Sequence, residues 1–372
     1  MLHFKTLLIL ASTWILISCG STAISQGATF TNNSNKFVAK RGTNVAHWLS
    51  QSDRRGSDRE QFFTQKDVET IATMGFDHIR LPIDEEQMWD ESGKRHEDAF
   101  ELLDNCIQWC LASDLRVIVD LHILRSHYFN AKEKPLWTVT EEQEKFFDLW
   151  RDLSAAIGKY STDMVAYELM NEAVADNHAS WNTLVARANK AIRELEPERT
   201  IVIGSNRWQA TDTFDDLKVP ANDPNIILSF HFYEPFILSH YRAKWTALKD
   251  YKGGVNYPGV VLTKEEYDKA PDHVKPELER FVGKEFNKAT LYSLWQEPIE
   301  KAKALGLPLY CGEFGIVTDA PDRDRLDWYR DMMELFAESN IGYANWNYRS
   351  NNYGLFEGEV KNENLIQIVT RR

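Results

Sequence analysis

Eight short runs of apolar and β-branched residues, each apolar at its start and polar at its end, constrain this chain more than any other feature. They are FVAKRGTNV (37–45), HIRLPI (78–83), RVIVDLH (116–122), VAYELMNE (165–172), TIVIGSN (200–206), IILSFHFY (226–233), PLYCGEFG (308–315) and GYANWNY (342–348). Between most of them lie segments of helical periodicity, such as TQKDVETIATMG, EEQEKFFDLWRDLSAAIGKY, WNTLVARANKAIREL and DRLDWYRDMMELFAESN. Strand alternating with helix predicts a parallel sheet. Continuous apolar runs predict that both of its faces are covered. Eight such runs predict an α/β chain folded as a (β/α)8 TIM barrel, a single domain over residues 36–372. A doubly wound sheet would place a Gly-rich phosphate turn after the first strand, and GTNVAHWLSQ stands there instead. The connection after the sixth run, 234–290, is long and aromatic. It predicts an enlarged loop on the C-terminal face, where barrel active sites sit.

The polar ends of the runs converge on one rim of such a barrel. Arg80, His122, Asn171, Glu172, His231, Tyr233, Glu313 and Trp346 all occupy late positions. Each alone has a plain structural reading: an ion pair for Arg80, satisfied core positions for the histidines, packing for Trp346. Their shared placement on one rim is what marks a site. His122, His231 and Glu172 are conceivable metal ligands, but the HxH pair of barrel metallohydrolases is absent after the first strand, where AHW holds His47 alone. Two histidines spread over the third and sixth runs form a weak metal signal. The alternative chemistry is a pair of carboxylates on either side of a neutral substrate, as glycoside cleavage needs.

Charge and cysteine content narrow the classes further. Lys and Arg number 43 against 56 Asp and Glu, a formal net charge of −13. That excludes an electrostatic footprint for nucleic acid and disfavours polyanionic surfaces. Cys106 and Cys110 sit at helical spacing in DAFELLDNCIQWCLASD and Cys311 in a strand run, with no CxxC or nearby His cluster to complete a zinc site. All three are expected in the core. The N-terminus carries Lys5, an apolar stretch from Leu7 to Ile17, then small and polar residues. This predicts a signal peptide over 1–18, followed by a flexible segment over 19–35. LISC (16–19) resembles a bacterial lipobox, which implies lipidation of Cys19; the alternative is a plain cleaved signal. Export to a bacterial cell envelope, periplasm or outer membrane, or to the medium follows, with membrane contact only through such an anchor.

RGTNV, IRLPI, VDLH, YELMNEA, HFYEP, GEFG and ANWNY together resemble glycoside hydrolase family 5, whose barrels carry an acid/base on strand 4 and a nucleophile on strand 7. The likeness spans roughly residues 36–350. It implies a retaining mechanism with Glu313 as nucleophile and Glu172 as acid/base, and no metal or organic cofactor. Arg80 and Tyr233 would hold Glu313 ionised, Asn171 would bind the sugar 2-OH, His122 and His231 would orient sugar and acid, and Trp346 would stack under the reacting ring. The implied substrate is a neutral β-glucan polysaccharide or oligosaccharide, most often β-1,4-glucan cut internally, by a monomer. A β-mannanase, a xyloglucanase or an exo-β-glucosidase of the same fold are alternatives, as is a non-catalytic glycan-binding lipoprotein. Among rim aromatics, His47, Trp48 and Trp208 are expected to touch substrate; Trp89, Trp137 and Trp245 also lie near rim segments. One departure is visible: the motif that usually reads NEP has Ala173 in place of the proline.

YELMNEAV (167–174) holds two glutamates four residues apart. Strict alternation would put 168, 170 and 172 on one face and 171 on the other. Asn171 and Glu172 are both needed at the rim, so the strand is expected to bend or bulge there. Glu168 lies about 13 Å deeper at roughly 3.3 Å per residue, and is expected to be a buried partner of Arg80.

Overall fold

The strand runs close on themselves. In the computed structural model, which describes residues 36–349 and 352–371, β1 (Arg41–Asn44), β2 (His78–Asp84), β3 (Arg116–Ile123), β4 (Val165–Glu168), β5 (Ile201–Gly204), β6 (Ile226–Phe232), β7 (Leu309–Phe314) and β8 (Gly342–Asn345) form a closed barrel in the order β1-β8-β7-β6-β5-β4-β3-β2. Every pairing is parallel. The barrel predicted from the eight runs is the fold observed. The expected signal peptide over 1–18, Cys19 and the expected flexible segment over 19–35 lie outside the described residues, which all fall in one unit spanning Asn35–Arg372. No described helix is long and apolar enough to cross a membrane.

Helices α1 (Gln65–Met74), α2 (Glu97–Ala112), α3 (Thr140–Ile157), α4 (His178–Arg193), α5 (Gln296–Leu305), α6 (Asp322–Ser339) and α7 (Glu363–Val369) flank the barrel. Local chemistry sets their ends. A capping box between Thr64 and Asp67 starts α1 and left-handed Gly75 stops it. The Asn177 side chain accepts from Ser180 N at the start of α4. The β5–β6 connection has no long helix, only short helical turns at Asn206–Gln209 and Thr211–Thr213. Cys106, Cys110 and Cys311 are free and buried, as their spacing predicts.

The enlarged 234–290 connection extends the strand–helix core. Tyr241, Leu248, Tyr251, Tyr257, Val274, Leu278 and Phe281 are buried in it, and two antiparallel two-residue strands, Gly259–Val260 and Glu285–Phe286, join its middle to its end.

The barrel interior is layered by the period of two. Ile118, Ala166, Val202, Ile227, Tyr310 and Ala344, with Phe37, form a buried apolar cluster separate from the strand–helix core. Two residues later on the same strands stand Asp120, Glu168, Gly204, Ser229, Gly312 and Trp346. An apolar floor is therefore followed by a layer that carries the polar Asp120, Glu168 and Ser229, and the sequence writes both in one alternation.

Candidate active site

Arg80 organises the polar layer. It is wholly buried on β2, and its Nε and Nη2 donate to the two oxygens of Glu168 at 2.6 and 3.0 Å. Nη1 donates to Glu313 Oε1 at 2.7 Å and to Asn44 Oδ1 at 3.0 Å. Nη2 reaches Asn171 Oδ1 at 2.9 Å and Asp120 Oδ2 at 3.0 Å. Burial works against the guanidinium charge, but Asp120, Glu168 and Glu313 outweigh it, so Arg80 stays a cation. Burial also pushes Asp120 up to about 7, with Arg80 opposing. Asp120 Oδ2 holds His122 Nδ1 at 2.6 Å. Burial lowers His122 to about 4, which keeps its imidazole neutral at neutral pH.

Local breaks in strand regularity aim the two rim glutamates. On β7, Cys311 pairs with Phe230 but Glu313 pairs with His231, so Gly312 is the extra residue of a bulge. Without that bulge, the period would turn Phe314 inward; instead Phe314 packs outward on Trp328 and Phe336. A Cβ at Gly312 would sit 2.9 Å from Ser229 Oγ and 3.1 Å from His231 Nε2, so the bulge has room for no larger residue. On β4 the ladder ends at Glu168. Met170 turns into the outer core, Asn171 turns in to Arg80, and Glu172 takes a left-handed φ of 45°. The predicted bend is present, and it puts Asn171 and Glu172 on the same side.

The two carboxyl groups then meet. One ligating oxygen of each, with one nitrogen of His231, all lie within 4.8 Å of one another. His231 Nδ1 is 3.0 Å from Glu172 Oε1 and 3.7 Å from Glu313 Oε2. Tyr233 donates its hydroxyl to Glu313 Oε2 at 2.9 Å. Burial first, then the charge of Glu313, pushes the Glu172 carboxyl well above the usual carboxylate range. Burial raises Glu313 too, but Arg80 and the Tyr233 hydroxyl act against it. Glu172, His231 and Glu313 are the one candidate metal-binding group among the described residues. Both oxygens of Glu313 already accept from Arg80 and Tyr233, so a bound cation would displace one of those donors or share Arg80's position. The donor set suits proton transfer and nucleophilic attack better than ligation.

Residues 33–352 match the family described as "Cellulase (glycosyl hydrolase family 5)". Endoglucanase C of Acetivibrio thermocellus is 33% identical over 342 residues, covering 90% of this chain and 98% of that protein. The chain belongs to glycoside hydrolase family 5. It is accordingly a glycoside hydrolase. Cellodextrinase A of Ruminococcus flavefaciens is 29% identical, with 81% of this chain and 83% of that protein covered. Among solved structures, Thermotoga maritima Cel5A crystallised with cellobiose superimposes with a TM-score of 0.72 at 23% identity, covering 89% of this chain and 96% of that one. The same enzyme with mannotriose gives 0.71 at 22%, covering 90% and 99%.

The structure brings all eight predicted site residues together, Arg80 wholly buried and the others around it. Trp346 stands face to face with His122, ring centroids 5.7 Å apart and planes 7° from parallel. His47 meets the Trp346 ring edge-on at 6.4 Å, at the mouth of a cleft of about 720 Å³ that Arg54, Phe62 and Phe356 also line. Trp48 is a correction. It is 0% exposed, its indole donates to Arg59 O at 2.8 Å, and it packs on Phe63, so it is core and cannot meet substrate. His47, with φ 60°, takes the turn that points one residue out and the next in. Trp89 is buried too, donating to Asp152, and Trp137 packs edge-on against His127 and Trp181. Trp208 and Trp245 are exposed, at 43% and 51%.

Four supporting residues were not predicted. Asp120 had a signal, because it and His122 are polar at i and i+2 in an apolar strand. Asn44 ends β1 and donates to Gly312 O at 3.0 Å, bracing the β7 bulge. Gln209 and Tyr353 had no local signal. Tyr353 packs 5.9 Å from Tyr233 and 6.1 Å from Trp245, linking the exposed indole to the residue that holds Glu313.

Proposed function

We propose that this family 5 enzyme cuts β-1,4-linked glucan internally by double displacement, with Glu313 as nucleophile and Glu172 as acid/base. The observation that carries the mechanism is the separation of the two carboxyl groups. One oxygen of each within 4.8 Å of the other fits the roughly 5–5.5 Å carboxyl spacing of retaining enzymes better than the about 6.5–9.5 Å of inverting ones.

In the first step Glu313, kept ionised by Arg80 and Tyr233, attacks the anomeric carbon. Glu172, neutral because it is buried beside another carboxylate, passes its proton to the leaving oxygen. Departure of the leaving sugar leaves a glycosyl ester on Glu313. Glu172 is then a carboxylate, takes a proton from water, and the resulting attack releases the sugar with its configuration retained. Asn171 is fixed through its carbonyl by Arg80, and its Nδ2 is buried without a partner among the described residues. That free donor suits the sugar 2-OH. Trp346 supplies an aromatic face for the ring in between.

Support for a β-1,4-glucan comes from the endoglucanase relatives, and support for a polymer from the exposed rim indoles of Trp208 and Trp245. A panel of soluble β-1,4-glucan, mixed-linkage glucan, xyloglucan and β-mannan with sizing of early products tests this. Cello-oligosaccharides of several lengths are expected; glucose as the sole early product, or preference for mannan, would overturn it. For location, the LISC stretch supports export and anchoring through a lipid on Cys19. Loss of detergent-phase partitioning in Cys19→Ala is the expected result, and unchanged partitioning would refute the anchor.

A further inference from the structure

Arg207, Trp208 and Gln209 are three consecutive residues with left-handed backbones, φ 57°, 62° and 54°. None is glycine. Such conformations persist where the surroundings enforce them, and they gather at functional sites. This turn sends Trp208 outward and Gln209 inward, where Gln209 is fully buried. Its Oε1 accepts from the backbone N–H of Glu172 at 2.9 Å. Its Nε2 donates to Ser229 Oγ at 3.0 Å and to Glu168 Oε1 at 3.3 Å. Past the end of β4, Leu169 N and Asn171 N still donate to Val202 O and Leu121 O on the neighbouring strands, at 3.2 and 3.1 Å, whereas the next N–H, that of Glu172, is taken by the Gln209 side chain.

The chain beyond Glu172 is held in the same way. Trp208 N donates to Ala173 O at 3.2 Å, Val174 N donates to His127 Nε2 at 3.1 Å, and Asn206 binds both the N–H and the carbonyl of Ala175, at 2.8 and 3.1 Å. These bonds grip the segment that carries Ala173 in place of the motif's proline. Gly204 completes the device. It lies in extended β5 backbone, and a Cβ there would come 2.2 Å from Gln209 Cγ and 2.6 Å from its Nε2. The residue is glycine because the Gln209 side chain lies across it.

We propose that Gln209 is a positioning residue for the acid/base: its amide, seated over Gly204, fixes the left-handed backbone of Glu172 and so the direction in which the acid's proton is delivered. This rests on the reading of Glu172 as acid/base.

The test is kcat/KM on aryl β-cellobiosides of graded leaving-group pKa, for the wild type, Glu172→Ala, Gln209→Ala, Gly204→Ala and the Gly204→Ala/Gln209→Ala double variant. Misplacing the acid slows only substrates that need protonation. Gln209→Ala is expected to lose about 10–100-fold on the poorest leaving group and less than about 2-fold on the dinitrophenyl substrate, which leaves unaided. Gly204→Ala should reproduce that pattern by displacing an intact Gln209, and the double variant should be no worse than Gln209→Ala, because both changes remove one interaction. Equal losses across leaving groups in either single variant, or additive losses in the double, would overturn the proposal. Should Gln209→Ala fail to fold, Gly204→Ala decides by the same criterion. If Glu172→Ala itself shows no leaving-group dependence, the acid/base reading fails instead, and the two failures are distinguishable.

Discussion

Glu172 and Glu313 are the same side chain, with oxygens within 4.8 Å, yet the barrel builds opposite surroundings for them. Glu313 sits on a regular strand with one bulge, and that strand delivers it against a guanidinium and a phenol. Glu172 sits past the end of β4, with His231 rather than Arg80 as its side-chain hydrogen-bond partner. Burial raises both carboxyls, but Arg80 and the Tyr233 hydroxyl hold Glu313 back, while the charge of Glu313 drives Glu172 further towards the neutral acid. The role of each glutamate is set by how its strand ends. Backbone irregularity is the means by which one ring of strands makes two different acids.

The strongest way to break the comparison is to remove one member. Glu313→Ala should lower kcat by more than about 10⁴-fold on every substrate; azide should restore part of it on activated glycosides, with an inverted product anomer seen by NMR. Rescue with retained configuration would assign attack to another group. Next in size, Glu172→Ala should lose roughly 10²–10⁴-fold on poor leaving groups and far less on dinitrophenyl cellobioside. Identical losses on both would erase the distinction between the two glutamates.

Smaller changes sharpen the comparison without removing either carboxylate. Tyr233→Phe deletes one hydrogen bond to Glu313, worth about 1.5–3 kcal/mol where the acceptor is charged. Because that bond favours the ionised form, its loss raises the Glu313 pKa, and the acidic limb of the kcat/KM profile should move to higher pH while the basic limb stays. A shift of the basic limb alone would contradict the assignment. The smallest effect is on stability. A carboxyl raised on folding binds its proton more tightly in the folded state, so its contribution is favourable below the unfolded Glu pKa and is lost as pH rises through the folded one. Glu172→Gln should therefore melt about 2–4 °C higher than the wild type near pH 7, with the gap closing below about pH 4.5. A variant less stable at neutral pH would show that Glu172 is not a burdened acid.

Most of this frame could be read from the sequence because period two and polar run ends are local signals. Arg80, His122, His231, Tyr233, Glu313 and Trp346 announce themselves as polar or aromatic groups late in apolar strands. Asn171 and Glu172 did so as well, and their adjacency even required the bend that the structure shows. Position after β1 was misleading for Trp48, because one left-handed residue, His47, reverses which side chain faces out. Gln209 and Tyr353 were illegible for a different reason: both reach the site from connections, Gln209 through three left-handed residues. Backbone sign is not written in a hydropathy pattern, and neither residue type there is glycine.

The central claim is that Glu313 forms the covalent intermediate while Glu172 handles the proton. Incubation with 2,4-dinitrophenyl 2-deoxy-2-fluoro-β-cellobioside, followed by peptide mass spectrometry, tests it most directly, since the fluorine slows hydrolysis of the glycosyl ester. The account requires a single fluorocellobiosyl adduct on the CGEFG peptide at Glu313. An adduct on YELMNEAV at Glu172, or turnover to an inverted product with no adduct at all, would contradict it.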